Sequence, residues 1–314
     1  MEAKPLRYAI LGTGALGGLY GALLSRSGQE VHFLARSDYS HIKSHGLRVD
    51  TPLGDFHLKS VNVYQEPQQM PVVDVAIVAW KTTANSALKE TLPAVCGSET
   101  TVLVLQNGWD IERDSANIVG PSAILGGCCF LCSNKVGPGH IHHLDYGRIA
   151  FGEYSVSKLG EITDRMRHIA EHFQVAGIDV TPAENLSAVR WKKLTWNIPF
   201  NGLSVVLDAD TGQLMSDPFT QQLARDLMID VKQAAEHCGV EIQESHIQKM
   251  LEDTRNMVPY ASSMLLDYQN KRPMEVEAIF GNPLRAAQQH GFTPKKIEML
   301  YQQLRYIDKV NREG

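Results

Sequence analysis

One ammonium and two carboxamides recur at four-residue steps in Arg190-Trp191-Lys192-Lys193-Leu194-Thr195-Trp196-Asn197-Ile198-Pro199-Phe200-Asn201. On a helix advancing about 100° per residue, Lys193, Asn197 and Asn201 span an arc of about 80° and project together. Such a stripe suits a carbonyl substrate. Lysine can stabilise negative charge developing on oxygen and deliver a proton, and carboxamides donate and accept at once. A solvated polar face would show the same spacing. Here the neighbours Trp191, Trp196, Ile198 and Phe200 argue for a buried helix, where polar groups need partners or a task. Pro199 should bend that helix, on the side away from the stripe.

A second chemical signal lies at the amino end. Tyr8-Ala9-Ile10-Leu11 reads as a strand, Gly12-Thr13-Gly14-Ala15-Leu16-Gly17 as a glycine-rich turn, and Leu16–Leu24 as an apolar helix. Gly12 permits a tight turn, Gly14 lets the backbone approach a pyrophosphate, and Gly17 lets the helix lie close to the strand. The helix N-terminus then offers N–H groups to the phosphates. We read Gly12, Thr13, Gly14, Ala15, Leu16 and Gly17 as the dinucleotide-binding turn. After the second strand, Val31–Ala35, the chain carries Arg36-Ser37, which suits the 2′-phosphate of NADP; an acid there would suit the 2′-hydroxyl of NAD. Asp38 keeps NAD open should the strand run longer.

These residues need a scaffold. The chain has 314 residues, 43% of them hydrophobic and 21% charged, which excludes a disordered or fibrous protein and suggests two domains. Its net charge of -5 argues against bulk neutralisation of nucleic-acid phosphates. Five cysteines, an odd number, fit reduced thiols in the cytoplasm. The uncharged run Tyr8–Ser25 is long enough to suggest a membrane span or a signal peptide, but its glycines belong to the nucleotide turn. We therefore expect a cytoplasmic protein with no membrane segment.

Tyr8–Leu11, Val31–Ala35, Leu47–Val49, Val75–Trp80, Val102–Leu105 and Ala123–Leu125 read as strands, several of them continuous apolar runs suited to a covered parallel sheet. His140–Glu153 alternates and suits antiparallel edge strands. Ile162, Met166, Ile169, Phe173 and Ala176 mark a helix that Gly177 stops. Beyond Val180, Asn185–Thr195, Asp217–His237, Glu244–Asn256, Ser262–Lys271 and Met274–His290 read as helices. The boundary between the α/β half and the all-α half falls near Thr181–Glu184, giving domains 1–182 and 183–314.

Taken together, these residues resemble the ketopantoate reductase (2-dehydropantoate 2-reductase) family. The likeness rests on Gly12–Gly17, Lys81 after Ala79-Trp80, Gln106-Asn107-Gly108, Trp191-Lys192-Lys193-Leu194 with Asn197 and Asn201, and Ser262-Ser263-Met264-Leu265 with Glu275. It is interrupted at Trp196, Pro199 and Trp109-Asp110. The resemblance implies an N-terminal Rossmann domain and an all-α C-terminal domain similar to that of 6-phosphogluconate dehydrogenase, with the active site in the cleft between them. It implies NADPH-dependent reduction of 2-dehydropantoate to (R)-pantoate, a step toward pantothenate and coenzyme A. By position, Lys193 matches the catalytic lysine, and Asn107 a residue near both cofactor and substrate. Asn197 and Asn201 match substrate ligands, Ser263 a ligand of the substrate carboxylate, and Glu275 a ligand of its hydroxyl that counts with Lys193 as catalytic. Arg36 and Lys81 match basic contacts to NADPH. Whether Ser262 or Ser263 faces substrate stays open.

Other outcomes also remain: an NADP-dependent dehydrogenase of this fold for another 2-keto or 3-hydroxy acid, or a non-catalytic NADP-binding sensor. The expected partner is a small 2-keto acid, with no nucleic acid or membrane, and a homodimer stays open. No metal site is expected. Cys129 and Cys132 have CxxC spacing inside a strand-like run, and His140 and His142 would face away from His143 and Asp145.

Overall fold

The computed structural model describes residues 5–313, which form two compact units. The first comprises the described residues up to Gln106 together with Ile111–Leu186; the second comprises Asn107–Asp110 and Ser187 onward. The sequence suggested one crossing at 182/183. The packing instead assigns Asn107–Asp110 to the helical unit and carries the first unit on to Leu186.

In the first unit the strands are β1 (Arg7–Leu11), β2 (Glu30–Leu34), β3 (Leu47–Asp50), β4 (Phe56–Leu58), β5 (Asn62–Tyr64), β6 (Val73–Val78), β7 (Cys96–Val104), β8 (Ile124–Gly137), β9 (His140–Glu153) and β10 (Val180–Pro182). Its helices are α1 (Ala15–Arg26), α2 (Tyr39–His45), α3 (Leu88–Val95), α4 (Glu112–Val119) and α5 (Asp164–Val175). All ten strands join one sheet in the order β4-β3-β9-β8-β7-β6-β1-β2-β5, with β10 also on β9. From β5 to β8 every pairing is parallel. This is the dinucleotide-binding arrangement, in which β1 lies between β2 and β6 at the point where the order of crossovers reverses. The expected apolar runs are buried because both faces are covered: Ile10, Phe33, Ile77 and Leu103 sit in one core with Leu23, Leu24 and Phe173.

Two strand expectations change. The short strand at Ala123–Leu125 is in fact 14 residues long, because β8 turns at Gly137–Gly139 into a hairpin with β9. Gly126, Gly127 and Ser133-Asn134-Lys135 hid its length. Nor does His140–Glu153 form an edge: it is one strand, antiparallel to β8 and covered on its other side by β3 and β10. Cys128, Cys129 and Cys132 lie buried along β8. His140 bonds Asp50, and His143 bonds Thr51.

The helical unit comprises α6 (Leu186–Leu207, whose first residue belongs to the other unit), α7 (Thr211–Ser216), α8 (Pro218–His237), α9 (Glu244–Asn256), α10 (Ser263–Gln269), α11 (Asn282–Gln289, preceded by a π turn over Glu277–Gly281) and α12 (Lys295–Glu313). The helix expected to end at Thr195 continues through Pro199 to Leu207. A proline forfeits one intrahelical bond. The buried side chains Trp191, Leu194, Ile198, Phe200, Leu203 and Val205 hold the helix together across it.

One buried charge anchors the first unit. Glu153 at the end of β9 has its side chain 1% exposed. Burial would raise its pKa, but hydrogen bonds from Arg165 and Thr163 on α5 and its N-cap outweigh that and hold the carboxyl below its usual range. Arg165→Met should therefore cost about 3 kcal/mol at neutral pH by leaving a buried carboxylate short of partners. Because a depressed carboxyl stabilises above its unfolded pKa and stops doing so as pH falls through its folded one, the gap between native and variant should narrow on acidification. Urea unfolding at neutral pH and near pH 4 measures both.

Candidate functional site

The nucleotide turn is built by the absence of side chains. Gly12 has φ +107°, and a Cβ there would lie 2.7 Å from the Trp80 backbone N. At Gly17 a Cβ would lie 2.2 Å from the Gly12 carbonyl oxygen and 2.9 Å from Ala79 Cβ, so α1 packs on β1 and β6 at backbone distance. Gly14 differs: a Cβ there would meet no protein atom within 4 Å. The space in front of it is open to a ligand. Gly14 is also the N-cap of α1, which has no side-chain cap and no acid in its first turn. The N–H groups of Ala15, Leu16 and Gly17 are thus available to an anion. Thr13 does a different job, its buried hydroxyl donating to the Leu34 carbonyl at 3.0 Å and tying the turn to β2.

Strand β2 ends at Leu34, so it does not run on to Asp38. Arg36 and Ser37 are exposed and Asp38 is buried. Both Asp38 oxygens accept from Lys135 Nζ, at 2.9 and 3.0 Å. Lys81 is half-buried where β6 leads into the next turn, and Gln106 braces that turn by donating to the Trp80 carbonyl at 2.9 Å and to Asn85 Oδ1 at 2.7 Å. These residues fit an NADP nucleotide: open space at Gly14, uncapped N–H groups, and an arginine rather than a free acid after β2.

In the helical unit, α6 presents the expected stripe. Lys193 is half-buried, whereas Lys192 is exposed. Asn197 and Asn201 are each 2% exposed. Among the described residues, Asn201 Oδ1 is buried with no hydrogen-bond donor opposite it. Buried polar atoms are rarely left so, and a ligand donor would resolve it. Lys193 Nζ lies 5.5 Å from the centre of the Trp196 ring, within cation–π range, and Trp196 donates its indole N–H to Thr254 on α9 at 3.1 Å. His246 approaches Thr195 Oγ1 at 3.0 Å, and burial lowers its pKa, which favours the neutral imidazole.

The segment Asn107–Asp110 docks on the same helices. Asn197 Nδ2 is 3.5 Å from Asn107 Oδ1. Gly108, at φ +127°, passes so close to the π turn that a Cβ would lie 2.6 Å from the Ala278 carbonyl. Trp109 donates its N–H to that carbonyl at 2.9 Å and packs its ring against Trp191 at 4.7 Å. The Trp109-Asp110 departure is therefore part of how this segment is held. Asp110 has φ +51°, a left-handed conformation that aspartate tolerates better than most residues.

Geometry separates the two serines. Ser262 is fully buried, its hydroxyl accepting from the Leu265 N–H at 3.1 Å and sharing a hydrogen bond with Ser204 at 2.7 Å. It caps α10. Ser263 is exposed. Glu275 starts the helical stretch that contains the π turn, its carbonyl accepting from the Ile279 N–H at 3.1 Å, and it is 7% exposed rather than solvated.

The family profile described as ketopantoate reductase PanE/ApbA matches residues 8–155, and its C-terminal counterpart matches 185–308. The chain belongs to the ketopantoate reductase family. A 2-dehydropantoate 2-reductase of Nostoc sp. is 52% identical over 98% of this chain and 97% of its own length. Two solved ketopantoate reductases share the fold. The 2-dehydropantoate 2-reductase of Geobacter metallireducens gives a TM-score of 0.92 at 40% identity, covering 96% of this chain and 99% of that one. That of Methylococcus capsulatus gives 0.88 at 30% identity, covering 98% and 99%. As a ketopantoate reductase, the chain combines a Rossmann sheet with a helical C-terminal part, as expected. Sequence reading missed Lys135, which lies 97 residues from Asp38 and carries no motif.

Gly14 and Gly17 give opposite expectations. Gly14→Ala should fold, losing about 1 kcal/mol or less, while its affinity for NADP⁺ falls roughly tenfold or more as the Cβ enters the pyrophosphate space. Gly17→Ala should lose about 3 kcal/mol or more by overpacking, and binding with it. Thermal unfolding and calorimetric titration with NADP⁺ distinguish them.

Proposed function

We propose that this protein reduces 2-dehydropantoate to (R)-pantoate with NADPH, the first unit holding the cofactor and the helical unit the keto acid. Membership of the ketopantoate reductase family supports the reaction. The observation in this chain that carries the site assignment is the α6 stripe, with its half-buried lysine and the unsatisfied Asn201 oxygen. Bound NADPH supplies the hydride. Gly12, Gly14, Ala15, Leu16 and Gly17 would hold its pyrophosphate through backbone N–H groups, with Thr13 fixing the turn. Arg36 would pair with the 2′-phosphate and Lys81 would add a second cation.

Lys193 donates a hydrogen bond to the ketone oxygen, stabilises the negative charge that grows there and transfers the proton. Asn197 and Asn201 orient the substrate, Asn107 stands beside both substrate and cofactor, Ser263 binds the carboxylate and Glu275 accepts from the hydroxyl. The near full-length likeness to 2-dehydropantoate reductases does not favour another acid or a sensor. Its setting is proposed to be the cytoplasm, on the likeness to 2-dehydropantoate reductases; among the described residues no helix is long and apolar enough to cross a membrane. The assembly proposed is a homodimer, consistent with the apolar side chains Phe219 and Leu223 that α8 leaves exposed. Light scattering checks it, and a mass near 34.8 kDa would overturn it.

Lys193→Ala should lower kcat by roughly 10²–10⁴-fold, with NADP⁺ affinity retained. Lys192→Ala should keep most activity. Near-native kcat in Lys193→Ala would remove that residue from the chemistry. The substrate assignment is checked by following NADPH oxidation across a panel of 2-keto acids, in which 2-dehydropantoate should give the highest kcat/KM. Arg36→Ala should raise KM for NADPH and leave that for NADH nearly unchanged.

A further inference from the structure

The turn after β2 contains two residues with opposing effects on a nucleotide. Arg36 suits a 2′-phosphate. Asp38, two residues on, carries the charge that would repel one and bind a 2′-hydroxyl instead. Left free at the mouth of this turn, the carboxylate would work against the arginine.

The structure shows where that charge goes. Asp38 is turned inward, its side chain 8% exposed, and Lys135 Nζ sits 2.9 and 3.0 Å from its two oxygens. The Gly139 N–H donates to Oδ2 at 3.2 Å and the Ser37 hydroxyl to Oδ1 at 2.9 Å. Burial would raise the Asp38 pKa; these donors, Lys135 first, outweigh it and keep the carboxyl ionised and below its usual range. Lys135 and Gly139 come from the β8–β9 hairpin, within the same unit as the nucleotide turn. The hairpin therefore holds Asp38 through both a cation and a backbone N–H. Removing the cation would leave a charged group with too few partners, and its cheapest escape is rotation toward solvent, in a turn whose Arg36 and Ser37 are already exposed.

Resting on the NADPH reading above, we propose that Lys135 is a cofactor-specificity residue, which sequesters the Asp38 carboxylate so that Arg36 alone meets the ribose 2′ position. Lys135 itself need not touch the nucleotide.

The test is calorimetric titration of the full chain with NADP⁺ and with NAD⁺, which reads binding without turnover. Native protein should prefer NADP⁺. Lys135→Met should weaken NADP⁺ roughly 10- to 100-fold through the exposed charge, with NAD⁺ unchanged or tighter. Lys135→Arg, which keeps the pairing, should stay near native. The decisive arm is Lys135→Met combined with Asp38→Asn. Rescue of NADP⁺ affinity in the double variant identifies the freed charge as the cause. Equal loss of both nucleotides in Lys135→Met, with no rescue in the double variant, would overturn the proposal and make Lys135 a hairpin anchor. Failure of the underlying reading looks different: native protein would bind NAD⁺ as tightly as NADP⁺, and both inferences would fall.

Discussion

The distance between α1 and the strands beneath it governs what the first unit can offer a dinucleotide. Gly12 and Gly17 touch each other and Trp80 and Ala79 at separations that no Cβ allows. That contact fixes the axis of α1 and aims its first N–H groups past Gly14 into open space. Burial elsewhere in the sheet is generic, since many apolar residues would fill a core flanked by helices. The glycine contact is not generic. It converts a parallel sheet with helices into one whose central helix terminus offers uncapped N–H groups suited to an anion.

Helix α6 faces a different demand, since it must be both a core helix and a presenter of polar groups. Trp191, Leu194, Ile198 and Phe200 bury another part of its surface in the core. That burial sharpens the chemistry of the stripe. Asn201 and Asn197 sit where water is scarce, so a substrate atom that satisfies them gains more than it would at a surface. Trp196 interrupts the familiar pattern but places an aromatic face near the Lys193 ammonium, and Thr254 holds that ring.

Two buried carboxylates show contrasting uses of the same physics. Glu153 and Asp38 are both drawn below their ordinary range despite burial, because several donors converge on each. For Glu153 the consequence is structural: α5 is tied to the end of β9. For Asp38 it is a matter of what is kept away from a ligand. The cation reaches Glu153 from the next helix, 12 residues on, whereas Asp38 receives one from a strand 97 residues away that only the fold brings near.

The nucleotide turn was legible from residue types because glycine is read by what it lacks, and the need for it at Gly12, Gly14 and Gly17 is local to one strand, turn and helix. The Lys193–Asn197–Asn201 stripe was legible for the same reason, since helical geometry alone puts residues four apart on one face. Strand extent was not. The length of β8 depends on its hairpin with β9 and the interior position of β9 on β3, far back along the chain, and a half-polar strand gives no sign of which side is covered. The continuation of α6 through Pro199 was decided by packing, which outweighs one lost backbone bond. Which of Ser262 and Ser263 is buried was likewise invisible, since adjacent serines differ only in which hydroxyl meets Ser204. The fate of the Asp38 charge belongs to the same class. From sequence it was an acid two residues past Arg36 that kept NAD open, and only the hairpin, by bringing Lys135 to it across 97 residues, gave that charge a partner.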